Sequence, residues 1–252
     1  MSELVRYTIQ GRTVDLPVEV RAARSWAATF VVPSTAAQAI VAPTGLEVAQ
    51  MRKGKALASL AFVRYEDTDL DAYNEVAVAF LVRKHDAAPA SAASKALEVA
   101  RNRTGVYIHQ LPVNEGFTLE AGRTIWGYPK FMADIAIVEQ PRATTCTLHH
   151  EGELVLSLTI RAGIRPWPRV PNVPTYTYLD GVLRRTPWET HPTGTRGRPG
   201  GAALELGRHR IADELCSLGL PKRALMSTSV DRISARFGAA EVVRARLSAP
   251  AS

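Results

Sequence analysis

Cysteine is scarce in this chain, and so are long apolar runs. Cys146 and Cys216 are its only cysteines among 252 residues, which excludes a disulfide framework and predicts buried thiols in a reducing compartment. The longest apolar runs have the length of a strand, too short for a membrane-spanning helix. The first residues lead into no apolar stretch of the kind that directs secretion. We therefore expect a cytoplasmic globular protein that does not contact a membrane.

Metal-binding and phosphate-binding motifs are also missing. The six histidines show no ligand spacing such as H-E-x-x-H, and the adjacent His149 and His150 would point to opposite faces of a strand. The glycine-rich stretch 194–201 lacks the Lys-Ser/Thr pair of a phosphate-binding loop. We expect no metal site from these patterns.

Positive charge is concentrated near the C-terminus, where residues 161–252 hold 15 Lys and Arg against 7 Asp and Glu. Within this part, Arg196–Pro199 matches the short core of an AT-hook, a motif that places arginines in the minor groove. The match occurs once, inside a predicted basic loop at 193–201, and the other arginines are scattered. A solvated basic face accounts for this pattern better than nucleic-acid binding does.

Strand-like segments recur along the chain, and turn signals such as Asp180-Gly181 join several of them as hairpins. Few segments have the length of a crossover helix. The pattern predicts an α+β fold, a mainly antiparallel β-barrel or cone-like sheet with a few attached helices. We expect one domain over residues 1–252, with an inserted linker and helix at 86–104, a frayed tail at 248–252 and an acidic loop at 66–71.

One lysine stands among large rings in the stretch 122–131, GRTIWGYPKF. Lys130 follows Trp126 and Tyr128 and precedes Phe131. An exposed lysine has a pKa of about 10.4, whereas removal of its water favours the neutral amine, which can attack a ketone to form an imine. The alternative is a lysine that extends towards solvent while the rings around it belong to the core.

The stretch Gly122-Arg123 followed by Gly127-Tyr128-Pro129-Lys130 resembles the signature of the acetoacetate decarboxylase-like family, in which the lysine forms a Schiff base. The similarity extends from about Arg24 to Val243 and is most specific at 122–130.

The resemblance implies roles for further residues. Arg24 would hold a substrate carboxylate in a bidentate pair, and Glu75 would transfer protons. Tyr128, Trp126 and Phe131 would keep the pocket dry around Lys130. The family also implies a small oxo acid as substrate, a homo-oligomer and no cofactor, because the lysine itself accepts the electrons.

Two departures from the family pattern affect the expected reaction. Phe131 stands where decarboxylases of this family often have a second lysine, so burial alone would have to lower the lysine pKa. The strand before Glu75 has no acid, and Leu60 occupies roughly the matching place. Decarboxylation of a 3-oxo acid is the first expectation, and an imine-dependent aldolase or dehydratase on a larger oxo acid is the alternative. A non-catalytic protein that binds a ligand or nucleic acid is the alternative of another class.

Overall fold

The computed structural model describes residues 5–83, 104–164 and 172–243. The predicted insert at 86–104, except for Thr104, and the predicted tail at 248–252 lie outside these residues. Strands dominate the described chain, most of them are paired antiparallel, and three α-helices accompany them. The predicted α+β, mainly antiparallel fold is confirmed.

The largest sheet has a main path of nine strands, in which β3, β5, β6 and β7 are central neighbours. In spatial order the strands are β14 (Trp188–Thr193), β17 (Met226–Phe237), β3 (Val18–Pro33), β5 (Lys55–Thr68), β6 (Tyr73–Arg83), β7 (Thr104–Val113), β12 (Thr175–Leu179), β13 (Val182–Thr186) and β18 (Glu241–Val243). Three short strands pair beside this path: β4 (Gln50–Arg52) with β5, β8 (Lys130–Met132) with β7, and β15 (Arg196–Pro199) with β17. The pairings of β7 with β8 and with β12 are parallel.

A second sheet has four strands, in the order β16 (Ala202–Leu206), β11 (Glu153–Arg161), β10 (Ala143–His150) and β9 (Asp134–Gln140). Near the N-terminus, β1 (Arg6–Ile9) and β2 (Arg12–Asp15) form a separate hairpin. The helices are α1 (Ser34–Val41), which a 3₁₀ turn at Ala42–Thr44 extends, α2 (Gly116–Trp126) and α3 (Arg210–Ser217). None of the helices in the described ranges is long and apolar enough to cross a membrane.

The two faces of the large sheet are buried in different ways. One face packs against the four-stranded sheet and forms the main core, with Phe30 and Phe62 from one side and Leu156 and Leu158 from the other. The opposite face carries a second core with α2 and the N-terminal hairpin. Because strand side chains alternate between faces, each central strand contributes to both cores.

The side chains of β3 exchange the faces of the sheet to which they point where the pairing of β3 with β5 is irregular. The register shifts between Val20 and Ala22 and again between Ala22 and Ala23. Before the shift Val18 belongs to the core beneath α2, whereas after it Trp26 belongs to the main core, although both numbers are even. The first shift places an extra residue in β3 and the second places one in β5, and an extra residue in a strand exchanges the faces to which its side chains point.

Two loop predictions are wrong in part. In the predicted acidic loop 66–71, β5 continues to Thr68, and Arg21 on the neighbouring strand forms ion pairs with Asp67 and Asp69. In the predicted basic loop 193–201, the AT-hook-like stretch Arg196–Pro199 is strand β15, paired with β17. In both segments backbone pairing with a neighbouring strand outweighs the loop-like composition.

Candidate active site

A turn after helix α2 places Lys130 in the interior. The helix ends at Gly127, whose φ of 62° is the left-handed conformation that glycine adopts readily. The Lys130 backbone N–H donates to Tyr128 O at 2.8 Å, and Arg123 Nη1 donates to Lys130 O at 3.1 Å. β8 then begins at Lys130, opposite Leu111 of β7. These contacts hold the lysine with only 3% of its surface exposed.

Gly122 makes room for the lysine side chain on the surface of α2. A Cβ at this position would lie 2.6 Å from Lys130 Cδ and 2.7 Å from its Cε. Contacts this short do not occur for real side chains, so the lysine crosses the helix where there is no side chain. The position of the Lys130 side chain thus explains, on steric grounds, why the first residue of the Gly-Arg pair is a glycine.

The Lys130 amine has three neighbours. Nζ lies 3.1 Å from Glu75 Oε2 and donates to Thr118 Oγ1 at 2.9 Å. It also lies 4.8 Å from the centroid of the Tyr73 ring. Glu75 is itself buried, so this is an ion pair removed from bulk water.

Burial lowers the pKa of the Lys130 amine, and the Glu75 carboxylate opposes this shift without cancelling it. Loss of hydration disfavours the ammonium form, so a larger fraction of the amine is neutral than for an exposed lysine. Burial also raises the pKa of Tyr65 and of Tyr73, which therefore keep their protons at neutral pH. The Tyr65 hydroxyl donates to Glu75 Oε1 over 3.4 Å.

Lys130 and Glu75 line a cavity of about 260 Å³ between the large sheet and α2. Its walls come mostly from apolar side chains of six strands and from the end of the helix. They include Val18, Val20, Ala61, Val63, Ala77, Ala79, Val106, Ile108, Leu111 and Phe237. A mostly apolar cavity with a few convergent polar groups is typical of small-molecule sites.

The structure brings four of the six predicted site residues together at this cavity: Lys130, Glu75, Tyr128 and Trp126. Phe131 is not among the lining residues. Its ring packs edge-on against His150 at 4.8 Å and against the main core. As the next residue on a strand, it points to the face opposite that of Lys130.

Arg24 also lies away from the cavity, which corrects its expected position beside the lysine. Arg24 Nη1 is 2.7 Å from Glu139 Oε2, and Arg64 shares the same carboxylate. In the pairing of β3 with β5, Arg24 lies opposite Arg64, whereas the cavity-lining Tyr65 belongs to the other face. Arg24 lines a separate, polar cavity of about 170 Å³.

Leu60 does not face the cavity either. It is fully buried in the main core, on the opposite face of β5. The cavity-facing positions of this strand are Ser59, Ala61, Val63, Tyr65 and Thr68. None of these residues is an acid, so the cavity-facing side of β5 provides no second carboxylate beside Glu75.

Sequence reasoning missed Thr118, Tyr65 and Tyr73. Thr118 precedes Gly122 by four residues, and this spacing places both on one face of a helix. Tyr73 precedes Glu75 by two residues, which on a strand places both on one side. Tyr65 lies opposite Tyr73 on the neighbouring strand, and their rings stack at 4.3 Å. The two spacings are visible in the sequence, but the cross-strand pairing is not.

A second cluster contains His150, Glu151 and His209, whose potential ligand atoms lie within 4.8 Å of one another. His209 Nδ1 accepts a hydrogen bond from the N–H of Ile211 and caps helix α3. The ring proton of neutral His209 is therefore on Nε2, which lies 3.1 Å from His150 Nδ1 and donates to it. Since Nε2 then offers no lone pair, the geometry suits a helix cap better than a metal centre.

The family model described as "Acetoacetate decarboxylase (ADC)" matches residues 10–247. The chain belongs to the acetoacetate decarboxylase family. A comparison with curated protein sequences finds no significant match.

Solved structures of acetoacetate decarboxylases and related enzymes have the same fold. The acetoacetate decarboxylase of Legionella pneumophila superposes with a TM-score of 0.72 at 17% identity, covering 92% of this chain and 89% of its own. The enduracididine biosynthesis enzyme MppR, complexed with the condensation product of pyruvate and imidazole 4-carboxaldehyde, gives 0.69 at 12% identity, with coverage of 98% and 99%. An acetoacetate decarboxylase-like enzyme from Sphingomonas wittichii gives 0.62 at 16% identity, with coverage of 92% and 94%. At these identities the similarity establishes the fold.

Proposed function

We propose that this protein is a lyase that forms an imine between Lys130 and an oxo acid and then breaks the bond to the substrate's carboxylate carbon. The observation that carries the proposal is the buried Lys130 amine, 3.1 Å from the Glu75 carboxylate at the wall of a mostly apolar cavity. A desolvated lysine is one of the activated nucleophiles that attack carbonyl groups. The lowered pKa of Lys130 increases the fraction of its amine that is neutral and can attack a carbonyl group.

The charges of the site indicate how the reaction would proceed. Lys130 and Glu75 together are neutral, so an oxo-acid anion that enters alone leaves an uncompensated negative charge in an apolar cavity, which is costly. The charge is balanced if one proton enters with the substrate and is held by Glu75. Loss of CO₂ from the iminium then gives a neutral enamine, and Glu75 returns its proton to the substrate carbon. Hydrolysis of the resulting iminium releases the ketone and restores the ammonium.

Reduction with borohydride tests the imine. Incubation with acetoacetate and borohydride should add the reduced substrate or product to the peptide that contains Lys130, as measured by mass spectrometry. Lys130→Met should abolish the adduct, whereas Lys55→Met, a lysine at the start of β5, should retain it. If intact, folded protein gives no adduct with any oxo acid or ketone, the proposal fails and a non-catalytic binding role takes its place.

An imine-dependent aldolase or dehydratase is the second candidate. It is favoured by the cavity-facing side of β5, which has no acid, and by the similarity in fold to MppR. The two candidates share the imine and differ in the product. Release of CO₂ from a 3-oxo acid, measured with substrate labelled in its carboxylate, supports the decarboxylase. An adduct at Lys130 without CO₂ release, together with a condensation product from an oxo acid and an aldehyde, supports the second candidate.

A further inference from the structure

The floor of the Lys130 cavity consists of unusually small side chains. On β5 and β6 the cavity-facing positions next to Glu75 form two cross-strand pairs, Ala61 with Ala77 and Ser59 with Ala79. Strand positions at a half-buried face are typically filled by β-branched or aromatic residues. Four small residues in a block therefore leave space above the sheet.

This floor extends well beyond the reacting groups. Ala79 is four residues from Glu75 along β6, and a strand rises about 3.4 Å per residue. The small residues thus continue to a point roughly 14 Å along the strand from the Glu75 backbone. Acetoacetate, with two carbons beyond its reacting bond, would leave most of this length empty.

The walls along the same length are hydrocarbon. Val63 on β5 and Val106 and Ile108 on β7 face the cavity beside the floor. Lys130 and Glu75 are the only charged side chains among the described residues that line it. A bound group that lies on this floor would exchange water for methyl and methylene contacts, which favours an apolar group.

We infer that the substrate of this site carries, on the far side of its carbonyl carbon, an unbranched hydrocarbon arm that lies along Ala61, Ala77, Ser59 and Ala79. This inference rests on the imine proposed for Lys130. Water occupies about 30 Å³ per molecule in the liquid, so a cavity of about 260 Å³ has room for roughly eight or nine groups of that size. A 3-oxo acid of six carbons, which has about nine non-hydrogen atoms, fills this volume, and acetoacetate, with about seven, does not.

Chain length provides the test on the unmodified protein. Fresh 3-oxo acids with four, six, eight and twelve carbons are incubated with the protein and reduced with borohydride, and the concentration for half-maximal Lys130 adduct is measured. From four to six carbons we expect this concentration to fall about fourfold per added methylene, the factor that corresponds to about 0.8 kcal/mol for each buried CH₂. It should rise again at twelve carbons, when the arm exceeds the cavity.

A variant of the floor provides a second test. Ala77→Leu should reduce the advantage of the six-carbon acid over acetoacetate by tenfold or more, because the added side chain occupies the space of the arm. The matched control is Ala27→Leu. Ala27 is the cross-strand neighbour of Ala61 on the same half-exposed face and lies outside the cavity lining. Circular dichroism and thermal melts establish that both variants are folded.

The outcomes separate this inference from the function on which it rests. If acetoacetate labels Lys130 and longer acids bind equally or more weakly, the hydrocarbon arm is wrong while the imine stands. If no member of the series labels Lys130, the proposed function itself fails. An advantage for long chains that survives in folded Ala77→Leu moves the arm to another part of the cavity and overturns its placement on this floor. Should the variant not fold, the chain-length series alone decides.

Discussion

Gly122 and Lys130 are in such close contact that a single methyl group on the glycine would overlap the lysine side chain. The ideal Cβ would lie 3.3 Å from the Lys130 amine and still closer to its methylenes. Helix α2 and the Lys130 side chain therefore have to be considered as one unit, and substitutions on α2 should affect the position of the amine.

Gly122→Ala should displace the Lys130 side chain. We expect a loss of about 1–3 kcal/mol in the free energy of unfolding, the usual cost of overpacking, and at least a tenfold slower imine formation. Urea denaturation and borohydride trapping measure the two effects. Gly116→Ala is the matched control, since a Cβ there has no heavy atom within 4 Å. Normal trapping in Gly122→Ala would show that the lysine can take another path.

The pH dependence of the amine should reflect its burial. Because burial lowers the pKa of Lys130, imine formation should increase with pH and level off at a lower pH than expected for an exposed lysine. Glu75 is the largest cause that raises this pKa, so Glu75→Gln should move the profile further towards low pH. Trapping rates against pH provide the measurement, with the exposed Glu66→Gln as control. A shift of the Glu75→Gln profile towards high pH would contradict the conclusion that Glu75 raises the pKa of Lys130.

Thr118→Val should remove one hydrogen-bond partner of the amine while it preserves the shape of the side chain. Thr118 is fully buried, so we expect a loss of about 1–3 kcal/mol in the free energy of unfolding. Thr124→Val makes the same chemical change on the exposed side of the same helix and should cost much less. Equal losses in the two variants, measured by urea denaturation, would mean that the bond to Lys130 contributes nothing.

Arg24→Met tests whether this arginine binds the substrate carboxylate. Since Arg24 pairs with Glu139 on the other face of the sheet, we expect the half-saturating concentration of oxo acid to change less than about twofold. The pair is partly exposed, so the loss of stability should stay within about 1 kcal/mol. A tenfold weaker binding of oxo acids, with the neutral ketones unaffected, would restore Arg24 as the anchor.

Local signals in the sequence were sufficient for much of the fold and for the centre of the site. Alternating apolar residues and hairpin turns predicted the mainly antiparallel α+β fold. The motif around Gly122 and Lys130 spans only ten residues, so it can be recognised without knowledge of long-range contacts. The buried position of Lys130 agrees with the site predicted from this motif.

The face to which a strand side chain points, and the strand with which each strand pairs, could not be predicted from such local signals. The position of Arg24 depends on an irregular register between β3 and β5, which no pattern within β3 reveals. Tyr65 reaches the site only because its strand pairs with that of Tyr73. The extent of β5 through an acidic stretch likewise depends on Arg21, which is more than forty residues away in the chain.

Because of the shift of register, residues of the same parity in β3 have two different structural roles. Val18 and Val20 shape the space available to a ligand, whereas from Trp26 onward residues of the same parity support the packing between the sheets. Removal of one residue near Ala22 would place every following side chain on the wrong side. Changes of length here should therefore be far less tolerable than changes of residue type.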